Sequence, residues 1–508
     1  MYATDHIEGL RVVLIRTVFP HMIDRRVALL LMLLASVAAS QKRRTLAVPR
    51  DFETVGAALE EAVKGDVVEL QPGLYEENLN LKSGVTVRGR DAAKTIVRGA
   101  PTAPVVRAVD VEGARLENLT FEQAKQESSE DKVTAILISE GSVVLDGCAV
   151  WRASGFGVHI KGGEHRLEGC RVRECGREGL RVEDAKVTVR ECHFSFNTGA
   201  GVHVRVKGRI TGHDIRCEGN KEIGFRIAGE GSEGALTALD ARANSIGLKV
   251  DSGARATVEK SVFIGNRTQG LYAHAAVSIS VKDVECKGNQ QAGILLAEGT
   301  RGEVVKVTCA SNVGPGITIA HAGTKVTVTE GICRDNRSDG ILLVKGCEST
   351  VLKSTCTHNE GSGITAADKG TKVVFTDNTC RENKRHGLAI SKEAVGEMTK
   401  NLAEKNRMHG IGVLDKAEVT LVKNRCLDNV SSGIQFWKGG HGRAETNTCD
   451  RNQQSGISFF GAGSTATLKR NTCRRNQVFG VNFLSGAEAF KVGRDNRLSS
   501  NRRGRVGR

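Results

Sequence analysis

The chain has 508 residues, a formal net charge of +15, only 4% aromatic residues, 6 Pro and 59 Gly. Short apolar runs recur along its whole length, which excludes a disordered polymer. Scarce aromatics with abundant Gly suit short strands joined by tight bends, and the positive field favours anionic partners such as uronate polymers, lipopolysaccharide or phosphate.

In chain order, residues 1–40 read as an upstream extension and a signal peptide. Arg25-Arg26 precede the apolar run 27–35, and small residues follow at 36–40. The run is too short to span a bilayer comfortably, so no membrane span is expected after cleavage. The mature chain is therefore expected to be secreted, periplasmic or held at the cell envelope. Residues 41–64 are expected to form an N-terminal cap. Its helix carries Phe52, Val55, Ala58, Leu59 and Ala62 on one face, with Asp51 placed to cap it. Strands are expected from residue 65. The repeat that they open fades after Asn501 into a basic tail, residues 502–508. No capping helix is foreseen there, which leaves an edge open to self-association or to a covering partner.

The repeat itself is Asn-x-x-x-Gly-apolar, at Asn197, Asn220, Asn266, Asn289, Asn312, Asn336, Asn359, Asn383, Asn406, Asn429, Asn452 and Asn476. Asn244 fills the one gap with a bend shorter by one residue, closing on Gly247. After each Gly come two apolar residues with one between them, such as Ile294/Leu296 and Ile434/Phe436, the period of a strand with one inward face. A second strand such as 326–328 precedes the next Asn. Two strands and sharp corners within about 23 residues leave no room for a helix or a propeller blade. The predicted fold is all-β: a right-handed parallel β-helix of 15 or more coils with a short N-terminal capping helix. Stacked coils place equivalent residues above one another about 4.8 Å apart. The asparagines then form a corner ladder, with a second ladder at Asn378, Asn401, Asn424, Asn447 and Asn471.

Cysteines obey the same register. Cys217, Cys286, Cys309, Cys333, Cys356, Cys380, Cys426, Cys449 and Cys473 stand three residues before the bend Asn, and Cys148, Cys170 and Cys192 stand two residues further back. Ala241, Phe263 and Ala403 fill the same slot elsewhere, so a buried packing stack is expected. With neither CxxC spacing nor a His partner, no metal site and no cofactor are assigned.

The segment 51–90 carries Phe52-x-Thr54-Val55-x-x-Ala58, Gly65-Asp66-x-Val68, Pro72-Gly73-x-Tyr75-x-Glu77 and Val85-Thr86-Val87-x-Gly89. It resembles the opening of pectin-lyase-like β-helix proteins, among them pectin methylesterases and periplasmic copper-site accessory proteins. The later coils resemble the β-helix repeats of exported bacterial proteins. The resemblance implies the fold; that fold hosts hydrolases, lyases, epimerases and non-enzymes alike. Gly440-His441-Gly442 stands without the acidic pairs of polygalacturonases, and the methylesterase and alginate-epimerase motifs are absent. Catalysis is left open, leaning against.

Outward residues after each Gly should stack into columns. One reads His159, Arg181, His203, Arg226, Lys249, Tyr272; its neighbour reads Lys161, Glu183, Arg205, Ala228, Asp251, His274. Such a strip is expected to hold an anionic polysaccharide lengthwise through Lys161, Arg205, Arg226, Lys249, Tyr272 and His274. If the protein is an enzyme, polysaccharide lyase-like chemistry is assigned to His159, Arg181 and His203, as neutral bases beside a charge-stabilising cation. Further along, the same columns are read as becoming apolar, at Leu295, Leu342, Val344, Leu414, Trp437, Phe460 and Leu484. There Trp437 and Phe460 could stack sugars or meet a second copy of the chain. Phe436, Phe459 and Phe483 are expected to stack inward. Nucleic acid is not expected as a partner, given export and few aromatics.

Overall fold

A computed structural model describes residues 43–124 and 132–508 of the chain. The expected signal peptide lies outside these residues. Each coil contributes three strands. In the coil that opens at Asn289 they are a post-bend strand Ile294–Ala297, a middle strand Arg301–Val305 and a thiol strand Thr308–Ala310. Each pairs in parallel and in register with its counterpart one coil later: Ile294 with Ile317, Arg301 with Lys325, Cys309 with Cys333. The thiol strands form a stack of nineteen, from Gly73–Tyr75 to Arg497–Ser499. At the usual rung spacing the solenoid is about 90 Å long. One apolar core runs through it, lined by inward residues such as Ile294, Leu296 and Val304, all fully buried.

What holds the coils in register is the corner asparagine. The residue before it takes a left-handed backbone, Ser311 with φ of 55° for example, and turns the chain sharply. The coil then needs partners for corner backbone groups that no ladder reaches. Asn336 Oδ1 accepts both the backbone N–H and Nδ2 of Asn312 from the coil before, at 3.0 Å each. Its own Nδ2 donates to the Cys309 carbonyl and to Asn359 Oδ1. Every bonding position of the amide is satisfied, and the chain of amides runs without a break from Asn197 to Asn501. Four residues on, a Cβ on Gly316 would stand 2.7 Å from the Gly340 carbonyl oxygen, so the bend admits no side chain there.

The second ladder extends from Asn378 to Asn496 by the same bonds. In earlier coils its column holds Ser354, Ser261 and, through strand register, Cys192, Cys170 and Cys148. There the side chain does the same task more weakly: Ser354 Oγ accepts the Gly331 N–H, and Cys192 Sγ accepts that of Cys170. The nine-cysteine series is an inward packing column as expected, and all fourteen cysteines are buried and free. Burial pushes the Cys217 thiol well above its usual value. Cys175 begins the first ladder's column, donating its backbone N–H to Asn197 Oδ1.

Both ends differ from expectation. A strand Thr45–Val48 precedes the helix and pairs with Val67–Leu70, so rungs begin inside the segment read as a cap. The helix is Val55–Glu61, and Thr54 caps it rather than Asp51. Asp51 instead closes a turn on Ala47 through both N–H groups. The Glu77 carboxylate accepts the first helical N–H groups, those of Val55 and Gly56, at 2.8 Å each. At the far end the expected tail contains a further strand, Gly504–Gly507, parallel to Phe479–Leu484. Phe490 plugs the last coil edge-on against Phe459 and Phe483.

Replacing one amide in mid-ladder strands donors and an acceptor in two coils at once. Asn336→Ala is expected to cost on the order of 3 kcal/mol in urea denaturation. The exposed bend variant Gln290→Ala is expected to stay within about 0.5 kcal/mol of the parent. Equal midpoints for the two would contradict the ladder's role.

Candidate functional site

The post-bend strands bring the first polar column together as read from the sequence. His159 pairs with Arg181, Arg181 with His203, His203 with Arg226, Arg226 with Lys249 and Lys249 with Tyr272, on consecutive rungs. The second column runs Lys161, Glu183, Arg205 and, further on, Ala228, Asp251, His274. Further along, apolar residues continue both columns, as read from the sequence. Leu295 and Leu342 continue the His159 column, whereas Leu414, Trp437, Phe460 and Leu484 continue the Lys161 column with Val344.

The strip is not a row of free cations. His159 Nε2 lies 3.0 Å from Glu183 Oε2, and Arg181 Nε donates to Glu183 Oε1 at 2.9 Å. Arg181 also reaches Glu178 at 3.6 Å, and His203 Nδ1 lies 3.0 Å from the same Glu178 oxygen. The result is an alternating chain of imidazole, carboxylate, guanidinium, carboxylate and imidazole. Phe156 packs against it, with its ring 5.0 Å from that of His159 and the Arg181 guanidinium 4.8 Å from its centroid. Both histidines are only 8% exposed. Burial lowers the His159 pKa despite the Glu183 hydrogen bond. Burial also raises the Glu183 carboxyl, but hydrogen bonds from His159 and Arg181 outweigh that and hold it below the ordinary range. The imidazoles are therefore oriented and largely covered, and the Arg181 charge faces two carboxylates.

Glu178 and Phe156 escaped the sequence reading. Each stands immediately before a bend Gly, and the side chain from this position folds over the outward residues of its own coil or the next. Asp339 reaches Thr365 in the same way, and His386 packs against Gly412. The signal was available: one residue before the Gly in every coil makes a column of its own, Glu178, Asp339, Ser362, His386, His409 and Ser432 among its members.

Two rungs on, Asp251 has a 2% exposed side chain and is bound by Arg226 and, at 2.9 Å, by Lys249. Tyr272 packs edge-on to His274, which pairs with Glu298 at 2.8 Å. Lys161 is exposed, and Arg205 is loosely held 3.6 Å from Glu183. At the other end Trp437 and Phe460 are half-buried neighbours on adjacent rungs. The Lys438 ammonium lies 4.1 Å from the Trp437 ring centroid, which leaves less of the indole face for a sugar. Inward of them Phe436, Phe459 and Phe483 stack 5.0 and 5.2 Å apart, as expected.

His386 and His409 form a second imidazole pair, stacked 5.4 Å apart and each 7% exposed. Burial, with the nearby Arg385 charge, pushes His386 down to about 4. Burial and His386 push His409 down to about 3. His409 Nδ1 takes the Ser432 backbone N–H, which requires that nitrogen to be unprotonated.

The family model for the right-handed β-helix region matches residues 134–283, 230–380, 269–417 and 371–506. No curated protein matches the sequence. Among solved structures, the pre-mature gene product 12 of bacteriophage phi29 is 9% identical, covers 90% of this chain and 74% of its own, and gives a TM-score of 0.53. A mannuronan C-5 epimerase module from Azotobacter vinelandii is 16% identical over 64% of this chain and 93% of its own, with a TM-score of 0.43. Pectate lyase Pel9A is 14% identical over 66% and 81%, with a TM-score of 0.37. These likenesses are of fold alone.

Two outcomes follow from the imidazole chemistry. Glu183→Gln leaves Arg181 and His159 short of their charged partner, and is expected to cost about 1–3 kcal/mol in thermal unfolding. The second concerns His386 and His409, whose folded pKa values lie below the unfolded value of about 6.5. Their contribution is full above that pH and is lost as pH falls toward 4. The melting temperature should therefore drop between pH 7 and 5 more steeply in the parent than in His386→Ser/His409→Ser, where Ser is the residue of neighbouring coils. Parallel curves would count against the linkage.

Proposed function

The chain belongs to the right-handed β-helix family, and on that premise we propose that it is an exported protein that binds an extended, acidic polysaccharide along its long axis. One observation carries the reading. Over five rungs of the post-bend face, Lys161, Arg181, Arg205, Arg226 and Lys249 face three carboxylates, Glu178, Glu183 and Asp251, on strictly paired strands. One cation per rung repeats at a spacing close to the length of one sugar, and the five rungs together keep a positive surplus. Lys161 and Arg205 are the members best placed to meet a carboxylate bidentately or as a point charge, and Tyr272 and His274 extend the path. Export rests on the basic and apolar pattern at residues 25–40; among the described residues no helix is long and apolar enough to cross a membrane.

The same geometry supports binding more than lyase chemistry. A base abstracting a proton beside a uronate needs a cation free to take up the developing charge, and Arg181 is held by Glu178 and Glu183. Arg226 is a poor choice for a test because its loss would leave Asp251 buried with a single cation. In affinity electrophoresis through gels containing polygalacturonate, the parent is expected to be retarded, and retardation should weaken as salt rises. Lys161→Ala/Arg205→Ala should weaken binding about tenfold, equivalent to about 1.4 kcal/mol. Mobility identical with and without the polymer would refute the proposal.

A further inference from the structure

The stack of middle strands stops short while the other two stacks go on. Thr465–Lys469 lies parallel to His441–Glu445 and has no successor. In the next coil the chain passes it as a loop, residues 485–495, between the strands Phe479–Leu484 and Arg497–Ser499. Alternate residues of a parallel strand bond to opposite neighbours. Thr465 and Lys469 face the coil before: the Thr465 N–H donates to the Gly440 carbonyl, and the Lys469 carbonyl accepts the Thr446 N–H. Ala466 and Leu468 therefore face onward, toward the missing strand. The edge is closed at one end only. There the Arg470 N–H donates to Asp495 Oδ2 at 3.1 Å, and Asn496 Nδ2 donates to the Leu468 carbonyl at 3.0 Å. Among the described residues, no hydrogen bond reaches the N–H groups of Ala466 and Leu468 or the Ala466 carbonyl.

A recess of about 610 Å³ lies along this edge, and Ala466 and Leu468 are in its lining although their side chains face the core. Phe490 and Lys491 of the loop line it as well, with Lys469 of the strand. Both lysines are exposed, and among the described residues neither makes an ion pair. The carboxylate in the lining, Asp495, is already engaged by the Arg470 N–H and by Asn496 Nδ2. The site thus has uncompensated positive charge. Its open N–H and C=O groups recur at about 7 Å per two residues, the repeat of an extended peptide. A strand edge of this kind is a template for one more strand. Period two then sets the chemistry of that strand: one set of side chains meets Phe490, and the alternate set stands beside the lysines. We infer that the edge Thr465–Lys469 docks an extended segment of another polypeptide, with acidic residues beside Lys469 and Lys491 and small apolar residues between them. The site lies apart from the post-bend strip and stands or falls independently of the polysaccharide reading.

The probe is a fluorescein-labelled peptide of alternating glutamate and valine with blocked ends, titrated with the full chain in fluorescence anisotropy. Saturable binding is expected, and a lysine–valine peptide should not bind. Affinity should fall roughly tenfold or more in Lys469→Glu/Lys491→Glu, where like charges meet; circular dichroism and melting curves check that this variant folds. A second measurement needs no variant. Methylating one alternate set of peptide nitrogens should abolish binding, and methylating the other set should leave it, because only one edge of the added strand meets the protein. Lys161→Ala/Arg205→Ala should bind the peptide as the parent does. The inference is overturned if the glutamate–valine peptide does not bind, or if both methylated peptides bind as the plain one does. Equal affinity for the lysine–valine peptide overturns it too, as does loss of binding in the strip variant alone. A dimer in sedimentation velocity that the peptide fails to dissociate would give the edge to a second copy of the chain, and would equally overturn it.

Discussion

The structure depends on how each corner satisfies the backbone of the coil before it. A sharp bend frees N–H and C=O groups that the strand ladders cannot reach, and leaving them buried without partners is costly. The bend asparagine answers with all of its bonds directed to the adjacent coils, as Asn336 does toward Asn312, Cys309 and Asn359. Because the partner of each corner is one coil away, the bond that closes a bend also fixes the register between coils. Strand pairing and core packing then share a single alignment over nineteen rungs.

That alignment has an electrostatic consequence. Residues of like position are placed about 4.8 Å apart, where like charges would repel, and the chain avoids this by interleaving. Glu183 stands beside Lys161 and Arg205 in its own column and next to Arg181 in the adjacent one. Glu178 comes in from the bend to join Arg181 and His203. The polar strip is therefore both a neutralised lattice that stabilises the face and a surface with a modest positive excess. Groups at its centre are oriented and covered, while Lys161 at its edge faces solvent.

The two outer faces differ for a simple steric reason. On the post-bend face, side chains from the position before each Gly cover the central outward column, as Glu178 and Phe156 do over His203 and His159, and leave Lys161 and Arg205 at its edge open. The middle strands leave through short corners without such a rim. There the relief of the surface is set by side-chain length: Thr211, Ala235 and Thr257 lie low beside Arg209, Glu233 and Arg255.

The sequence by itself determined the repeat, the parallel stacking and which residues share a column. An Asn every 22 to 24 positions and a Gly four residues later admit one regular stack, and the inward Cys and Phe columns followed from period two. It also placed His159, Arg181 and His203 on consecutive rungs. Periodicity reports position along a column and is silent on sideways reach, so it missed the closure of Glu178 over His203, the burial of Asp251 between Arg226 and Lys249, and the Lys438 ammonium on Trp437. It likewise misjudged both ends, where Thr45–Val48 and Gly504–Gly507 pair as strands although neither carries the repeat's pattern. Those matters were decided only in three dimensions, because a side chain's partners at a bend come from whichever coil lies within reach, and a recess exists only where short and long residues from different coils stand side by side.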